Sequence, residues 1–283
     1  MSVFSHPDFD HHELVAFKED PVTGLKAIIA VHNSRLGPAT GGCPMYSYAS
    51  SDEALSDVLR LSRGMTYKSA LAGIALGGGK SVIIGNPRQD KTRELMLAMG
   101  DFIESQNGHY ISAEDSGTGV SDMAIIAERT DHVTGLSDDP EYGGDPSPTT
   151  AYGVYKGICA AVDFQLGGDL QGVRIALQGI GNVGYYLAQH LCDAGAQVFA
   201  ADVNRHNIDR AVENLGVTEI GLNDVLSADV DVLAPCAMGG AINVSSINTV
   251  KASVIAGAAN NQLGTLAMGD ALMEKGILYA PDY

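Results

Sequence analysis

Tryptophan is absent from the sequence, and the four cysteines (Cys43, Cys159, Cys192 and Cys236) lie far apart with no CxxC spacing. That argues against a disulfide framework or a cysteine-built metal motif, and for reduced thiols in a cytoplasmic protein. Basic residues are scarce: 17 Lys and Arg stand against 34 Asp and Glu, a net charge of −17. No cluster of Lys and Arg offers a face to a phosphate backbone, so no nucleic-acid partner is expected. Residues 1–14 carry Asp8, Asp10 and Glu13 without an apolar run, unlike a signal peptide. No stretch approaches the ~20 apolar residues of a membrane span, so no membrane partner is expected. HExxH, GxSxG and P-loop patterns are missing. His11 and His12 have no partners at ligand spacing and read as solvated tail residues, so no metal is expected.

Glycine, by contrast, is abundant, with 34 residues often in pairs or triplets, and 45% of the chain is hydrophobic. A length of 283 residues fits two globular domains. In the first half, Lys26 to Val31 reads as a buried strand. Ser50-Ser-Asp-Glu53 resembles a capping box, opening a helix that continues towards Lys68. Gly77-Gly-Gly79 reads as a break before a strand at Ser81 to Ile84. Thr92 to Gln106 is an amphipathic helix, His109 to Ser112 a short strand, and Met123 to Ala127 part of another helix. Pro140, Gly143, Gly144, Pro146 and Pro148 mark a loop at the inter-domain crossover. A helix follows from about Ala151 to Val162. Strand and helix then alternate, with strands at Val173 to Leu177, Gln197 to Ala201, Val230 to Ala234, Ser253 to Ala256 and Ile277 to Tyr279. The expected fold is α/β: an N-terminal α/β substrate domain over 1–135, then a Rossmann-type, doubly wound dinucleotide-binding domain over 136–283.

Gly179-Ile-Gly181-Asn182-Val183-Gly184 is a complete GxGxxG between a strand and a helix, and Asp202 lies 18 residues past its last glycine. Gly179 suits the tight turn, Gly181 lets a pyrophosphate approach the backbone, and Gly184 lets the helix pack on the sheet. The helix N-terminus offers free N–H groups to phosphate. Asp202 suits a ribose diol and would repel a 2′-phosphate, so NAD is expected over NADP. Arg205 and His206 stand nearby.

Two lysines sit in unusual company: Lys68 in Gly64-Met-Thr-Tyr-Lys68, and Lys80 directly after the glycine triplet and before an apolar strand. A lone lysine reads as a solvated surface group. A lysine held near apolar walls and another cation becomes a usable base near neutral pH, and flanking glycines would let a substrate reach the backbone. Asp115 follows a strand beside Gly117 and Gly119, where α/β folds place chemistry. Glu114 and Asp122 compete for that role, and charge alone does not choose.

These stretches carry a resemblance. Leu36-Gly-Pro-Ala-Thr-Gly-Gly42, Arg63-Gly-Met-Thr-Tyr-Lys68, Leu76-Gly-Gly-Gly-Lys80, Ala113-Glu-Asp115, Pro148-Thr-Thr-Ala-Tyr-Gly153, the GxGxxG, Pro235-Cys-Ala-Met-Gly-Gly-Ala241 and Ala258-Ala-Asn-Asn-Gln262 match one pattern. The chain resembles the glutamate/leucine/phenylalanine/valine dehydrogenase family over nearly its whole length, and most its leucine-acting branch. The resemblance implies NAD-dependent, reversible oxidative deamination of an aliphatic L-amino acid to a 2-oxo acid and ammonia, by a homo-oligomer. It implies that Lys68 holds the substrate carboxylate, Lys80 is the general base acting through water, and Asp115 shuttles protons. Thr40, Gly41, Gly42, Met65, Gly77, Ala113 and Asn261 would surround the substrate. Ser147, Thr150, Asn182 and Val183 would join the glycines and Asp202 at the cofactor.

Three features depart from the family pattern. Thr40 stands where leucine-acting enzymes carry an apolar residue and glutamate enzymes a lysine, so it argues against glutamate while leaving the pocket slightly polar. Pro44 replaces a common arginine. The chain stops at Tyr283, where the family continues through further helices, and the expectation is an incomplete copy of a longer enzyme. Two alternatives remain: a non-catalytic NAD-binding homologue, and a phenylalanine-type enzyme, against which Ala113 in place of glycine tells.

Overall fold

A computed structural model describes residues 2–136 and 145–283. Pro140, Gly143 and Gly144 of the expected crossover lie outside those residues. The chain folds as two compact units, one reaching to Asp145 and one covering Pro146–Asp282.

The first unit is a six-stranded mixed sheet with helices on both faces. Its elements are β1 (Leu14–Asp20), β2 (Leu25–Asn33), β3 (Ala39–Gly42), β4 (Met45–Tyr46), α1 (Ser51–Ala72), β5 (Gly77–Ile84), α2 (Arg93–Glu104), β6 (Tyr110–Ala113) and α3 (Val120–Ile126). The order is β1-β2-β5-β3-β6, with β4 also on β5. The β1–β2 and β2–β5 pairs are antiparallel, whereas β3 is parallel to both β5 and β6. Strand β2 is buried on both faces, and the two-residue period of a strand divides its side chains. Leu25, Ala27, Ile29 and Val31 pack with Leu95, Met96, Met99, Phe102 and Ile103 of α2. Ile28 and Ala30 pack with Ala54, Leu55, Val58 and Leu59 of α1.

Helix α1 starts as the sequence suggests: the Glu53 N–H donates to the Ser50 hydroxyl at 3.1 Å. The reciprocal bond differs, because the Glu53 carboxylate accepts from the Ala49 N–H at 2.6 Å, one residue before the N-cap. The helix runs through Lys68 to Ala72 and stops at Gly73, in the left-handed conformation. Gly77–Gly79 do not break the chain. They are the first residues of β5, and they are glycine because the protein's own atoms crowd them. A Cβ at 77 would stand 2.3 Å from the Asn33 carbonyl oxygen, at 78 2.2 Å from the Thr66 nitrogen of α1, and at 79 2.8 Å from the Tyr110 ring.

The second unit contains α4 (Ser147–Leu166), β7 (Arg174–Gln178), α5 (Asn182–Asp193), β8 (Gln197–Ala201), α6 (Arg205–Leu215), β9 (Thr218–Glu219), β10 (Val232–Pro235), β11 (Val254–Ile255), α7 (Ala267–Glu274) and β12 (Leu278–Tyr279). Its sheet is wholly parallel in the order β12-β11-β10-β7-β8-β9. This is the doubly wound arrangement, whose strand order reverses between β7 and β10. Ile175 and Leu177 point into a core with α4, α5 and α6. Ala176, Leu233 and Ile255 face the opposite layer, with Met268 and Leu272 of α7. No helix among the described residues is long and apolar enough to cross a membrane.

His12 is not a solvated tail residue. It is buried, and its Nε2 bonds the Leu59 carbonyl at 3.0 Å and the Ser62 hydroxyl at 3.1 Å on α1. Its Nδ1 accepts the Asp10 N–H at 3.1 Å. Burial is the main cause that drops its pKa to about 4, so the ring is neutral and pins the N-terminal segment to α1. Only the exposed His11 matches the expectation. Among the described residues no group of three or more His, Cys, Asp and Glu side chains could hold a metal ion.

Candidate active site

In the first unit, parallel pairing aligns Gly42 with Ala113 and Thr40 with both Ile111 and Gly78. The strand ends of β3 and β6 therefore lie side by side, and Lys80 sits next to them on β5. The Lys80 ammonium is buried and reaches Oδ2 of Asp115 at 2.5 Å, with only 5% of its side chain exposed. The other oxygen of Asp115, Oδ1, accepts the Ser116 N–H at 2.7 Å. Burial pushes the Asp115 carboxyl up. The Lys80 ammonium, its hydrogen bond, the Ser116 N–H and the charge of Lys68 outweigh that and hold it below the ordinary carboxylate value. The carboxylate lies across β3: a Cβ on residue 42 would stand 2.1 Å from Oδ2, so Gly42 makes the room that the charge occupies.

Asp122 separates clearly from Asp115. Asp122 pairs with Lys91 at 2.8 Å and caps α3 through the Gly119 N–H at 2.9 Å. Asp115 alone of the two meets Lys80. On α1, Asp57 accepts the Tyr48 hydroxyl at 2.7 Å. Burial lifts its carboxyl above the ordinary value, and the Tyr48 bond and the charge of Lys80 only partly offset that.

Helix α1 supplies Met65 and, one turn later, the exposed Lys68. Met65 lies against Gly41: its Cγ would be 3.3 Å from a Cβ there. Gly77 and Gly41 are buried against Asn33 and Gly79 backbone respectively, so their bareness serves strand packing before any ligand. The Thr40 hydroxyl donates to the Ile111 carbonyl at 3.2 Å. Its proton is thus taken up within the sheet. Ala113 is half-buried at the end of β6.

In the second unit the glycine loop sits at the strand-order reversal, directly after β7. Gly179 takes a positive φ of 96°, where a Cβ would be 2.9 Å from Ala237. Gly184 closes α5 onto the loop, since a Cβ there would stand 2.4 Å from the Gly179 oxygen. Gly181 is different. A Cβ there would meet nothing within 4 Å, and as N-cap of α5 it gives no side-chain cap. The first N–H groups of α5, from Asn182, Val183 and Gly184, have no intrahelical acceptor, and the open space at Gly181 beside them fits a pyrophosphate. Asp202, at the end of β8, accepts the Ile180 N–H at 2.8 Å and the Asn204 N–H at 2.7 Å. Each of its oxygens keeps a lone pair for a ribose hydroxyl. Ser147 and Thr150 lie in the first turn of α4, buried and exposed respectively. Asn261 holds a left-handed φ of 52° and donates its N–H to Asp282 at 2.7 Å.

With both geometries in view, comparison with known proteins is decisive. Residues 12–132 match the Glu/Leu/Phe/Val dehydrogenase dimerisation domain, and residues 145–283 match the Glutamate/Leucine/Phenylalanine/Valine dehydrogenase domain in two overlapping segments. The chain belongs to the glutamate/leucine/phenylalanine/valine dehydrogenase family. It is 51% identical to the leucine dehydrogenase of Geobacillus stearothermophilus over 286 residues, covering 100% of this chain and 77% of that protein. It is 45% identical to a phenylalanine dehydrogenase of Caldalkalibacillus thermarum (strain TA2.A1) over 289 residues, covering 100% of this chain and 78% of that protein. Among solved structures, L-tryptophan dehydrogenase from Nostoc punctiforme superposes with a TM-score of 0.72 at 41% identity, over 96% of this chain and 78% of that one. Within the family frame, two groups that the sequence reading did not single out hold the site together: the Tyr110 hydroxyl, which donates to the Gly41 oxygen at 2.7 Å, and the Thr118 hydroxyl. A buried tyrosine carries no motif. The Thr118 hydroxyl bonds the Asp115 N–H behind it in the chain and the Cys43 carbonyl far from it, contacts that no local turn signal marks.

Proposed function

We propose that the chain catalyses NAD-dependent oxidative deamination of an aliphatic L-amino acid, and the reverse reaction, in the cytoplasm as a homo-oligomer. The observation that carries the chemistry is the buried Lys80–Asp115 pair, with the charge of Lys68 bearing on it. Family membership and the 51% identity to a leucine dehydrogenase support the substrate class. A bound dinucleotide would be held by the Gly181 edge, the α5 N-terminus and Asp202, and would supply a hydride acceptor.

The protein's own groups account for the rest. Lys68 binds the substrate carboxylate and orients Cα. The Asp115 carboxylate takes a proton from the substrate ammonium and releases it to solvent, because the free amine is what drives hydride departure and leaves an iminium. The 2.5 Å bond then lets Lys80 pass a proton to Asp115. Neutral Lys80 takes a proton from water as its oxygen bonds to the iminium carbon. Asp115 returns its proton to the carbinolamine nitrogen and then removes the hydroxyl proton as the C–N bond breaks. The departing ammonia takes up that last proton, which restores the carboxylate, and the products are ammonia in its protonated form and the 2-oxo acid. Both arms of the pair are needed because protons move at two atoms, nitrogen and oxygen.

The test is reduced-nicotinamide absorbance with a panel of amino acids and with both cofactors. Leucine, valine and isoleucine with NAD should give the highest kcat/KM, above phenylalanine and glutamate. Asp202 should disfavour the 2′-phosphate of NADP. Binding of NADH without turnover of any amino acid would instead support a non-catalytic homologue.

A further inference from the structure

The mechanism explains what Asp115 does but not what holds it. Asp115 stands outside any strand or helix, in the loop Glu114–Gly119 between β6 and α3, where a carboxylate would ordinarily be free to swing. The loop is fastened instead. The Asp115 N–H donates to the Thr118 hydroxyl oxygen at 3.0 Å. That hydroxyl donates its single proton to the Cys43 carbonyl at 2.8 Å, closer than its alternative acceptor, the Asp115 carbonyl, at 3.3 Å. Cys43 follows Gly42, over which the carboxylate lies. One hydroxyl thus ties the backbone of Asp115 to the strand end its carboxylate rests on. A second tie lies further out. Lys91 donates to the Gly117 carbonyl at 3.0 Å and to Asp122 at 2.8 Å, and Asp122 accepts the Gly119 N–H at 2.9 Å. Gly117 itself needs a positive φ of 81°, with the Met45 carbonyl filling the space where a Cβ would stand.

We propose that Thr118 is a positioning residue that fixes the Asp115 carboxylate against Lys80 through its paired bonds to the Asp115 N–H and the Cys43 carbonyl, with Lys91 as the outer brace. The inference rests on the reading of Asp115 as the proton carrier. Threonine does this where valine, of the same shape, cannot: a hydroxyl accepts and donates at once. Loosening the loop lengthens the Asp115–Lys80 contact, and a misplacement of about 1 Å at a reacting group costs up to roughly 10²-fold in rate.

Thr118→Val should lower kcat by roughly tenfold or more while the KM for the amino acid moves less than about threefold, and Thr118→Ser should recover most of the loss. The acid limb of the kcat/KM profile should move to higher pH in the valine variant, since the carboxyl drifts back towards its ordinary value as Lys80 recedes. Amide hydrogen exchange gives a reading without turnover: the Asp115 N–H should exchange roughly tenfold faster or more in Thr118→Val, as its acceptor is gone. If Thr118→Val does not fold, Lys91→Met decides, with a smaller shift of the acid limb in the same direction. Unchanged kcat and profile in a folded Thr118→Val, or in Lys91→Met where that variant decides, would overturn the proposal, as would a serine variant no better than valine. Asp115→Ala run alongside separates the two readings. Near-normal turnover there removes the role of Asp115 and this proposal with it, whereas an inactive Asp115→Ala beside a normal Thr118→Val defeats the positioning role alone.

Discussion

The glycine loop of the second unit and the lysine–aspartate cluster of the first both gather polar groups, and they do so with opposite materials. The loop uses backbone from one contiguous stretch: N–H groups at a helix start, with Gly181 leaving open space above them. The first unit uses side chains from separate elements, α1, β5 and the β6–α3 loop, brought against β3. Glycine has a different meaning in each. At Gly181 the missing Cβ leaves open space, whereas at Gly42 it leaves room for the protein's own Asp115. A backbone site tolerates distant change but not an added methyl at the ligand. A side-chain site is only as good as the ties that hold each member.

The sharpest break in the comparison is at the base. Lys80→Ala should lower kcat by roughly 10²–10⁴-fold, the scale of a lost general acid–base group, while leaving NADH affinity by fluorescence titration unchanged. A parallel loss of NADH affinity would mean that the two sites are not separable in this way. The two glycines come next. Gly42→Ala should cut kcat by roughly 10–100-fold, because its methyl takes the place of the Asp115 oxygen, without weakening NADH binding. Gly181→Ala should weaken NADH binding by roughly tenfold or more, the equivalent of about 1.4 kcal/mol, with only a small drop in thermal midpoint from the poorer N-cap. Reversed outcomes would show that the roles of these glycines have been exchanged.

The smallest effect lies outside both sites and is one of stability. His12 is neutral in the fold, with its pKa dropped to about 4, mainly by burial, while the unfolded chain takes up a proton near the ordinary histidine value of about 6.5. Its contribution is therefore present above pH 6.5 and is lost as pH falls from there towards 4, about 3 kcal/mol in all. Urea unfolding at pH 7 and pH 4.5 should show His12→Gln losing less stability on acidification than the unsubstituted chain. An equal loss would assign the acid sensitivity to other groups, His32 first among them.

How much of this was legible in the sequence follows the same division. The GxGxxG and Asp202 could be read directly, because a backbone site writes its requirement as consecutive glycines between a strand and a helix. Strands β2, β7 and β8 were legible from their apolar runs. Strand β1 was missed, because Phe17, Lys18 and Glu19 are exposed and no alternating pattern marks them. The two-residue strands β4 and β9 are too short for any period to show. Gly77–Gly79 read as a break since glycine is poor in strands, and the nearness of Asn33, Thr66 and Tyr110 explains why it is required. Choosing Asp115 over Glu114 and Asp122 by charge was out of reach. The decision depends on which carboxylate faces Lys80, 35 residues away in the chain. The burial of His12 depends on Leu59 and Ser62 in the same way.

The central claim is that Lys80 and Asp115 act as one proton-transfer unit across their shared bond, and a double-mutant cycle on kcat tests it most directly. Groups that work as a unit are lost together, so the Lys80→Ala/Asp115→Ala double variant should be about as slow as the slower single variant. If the two single losses multiplied in full in the double variant, the residues would be acting independently, and the account of the pair would be wrong.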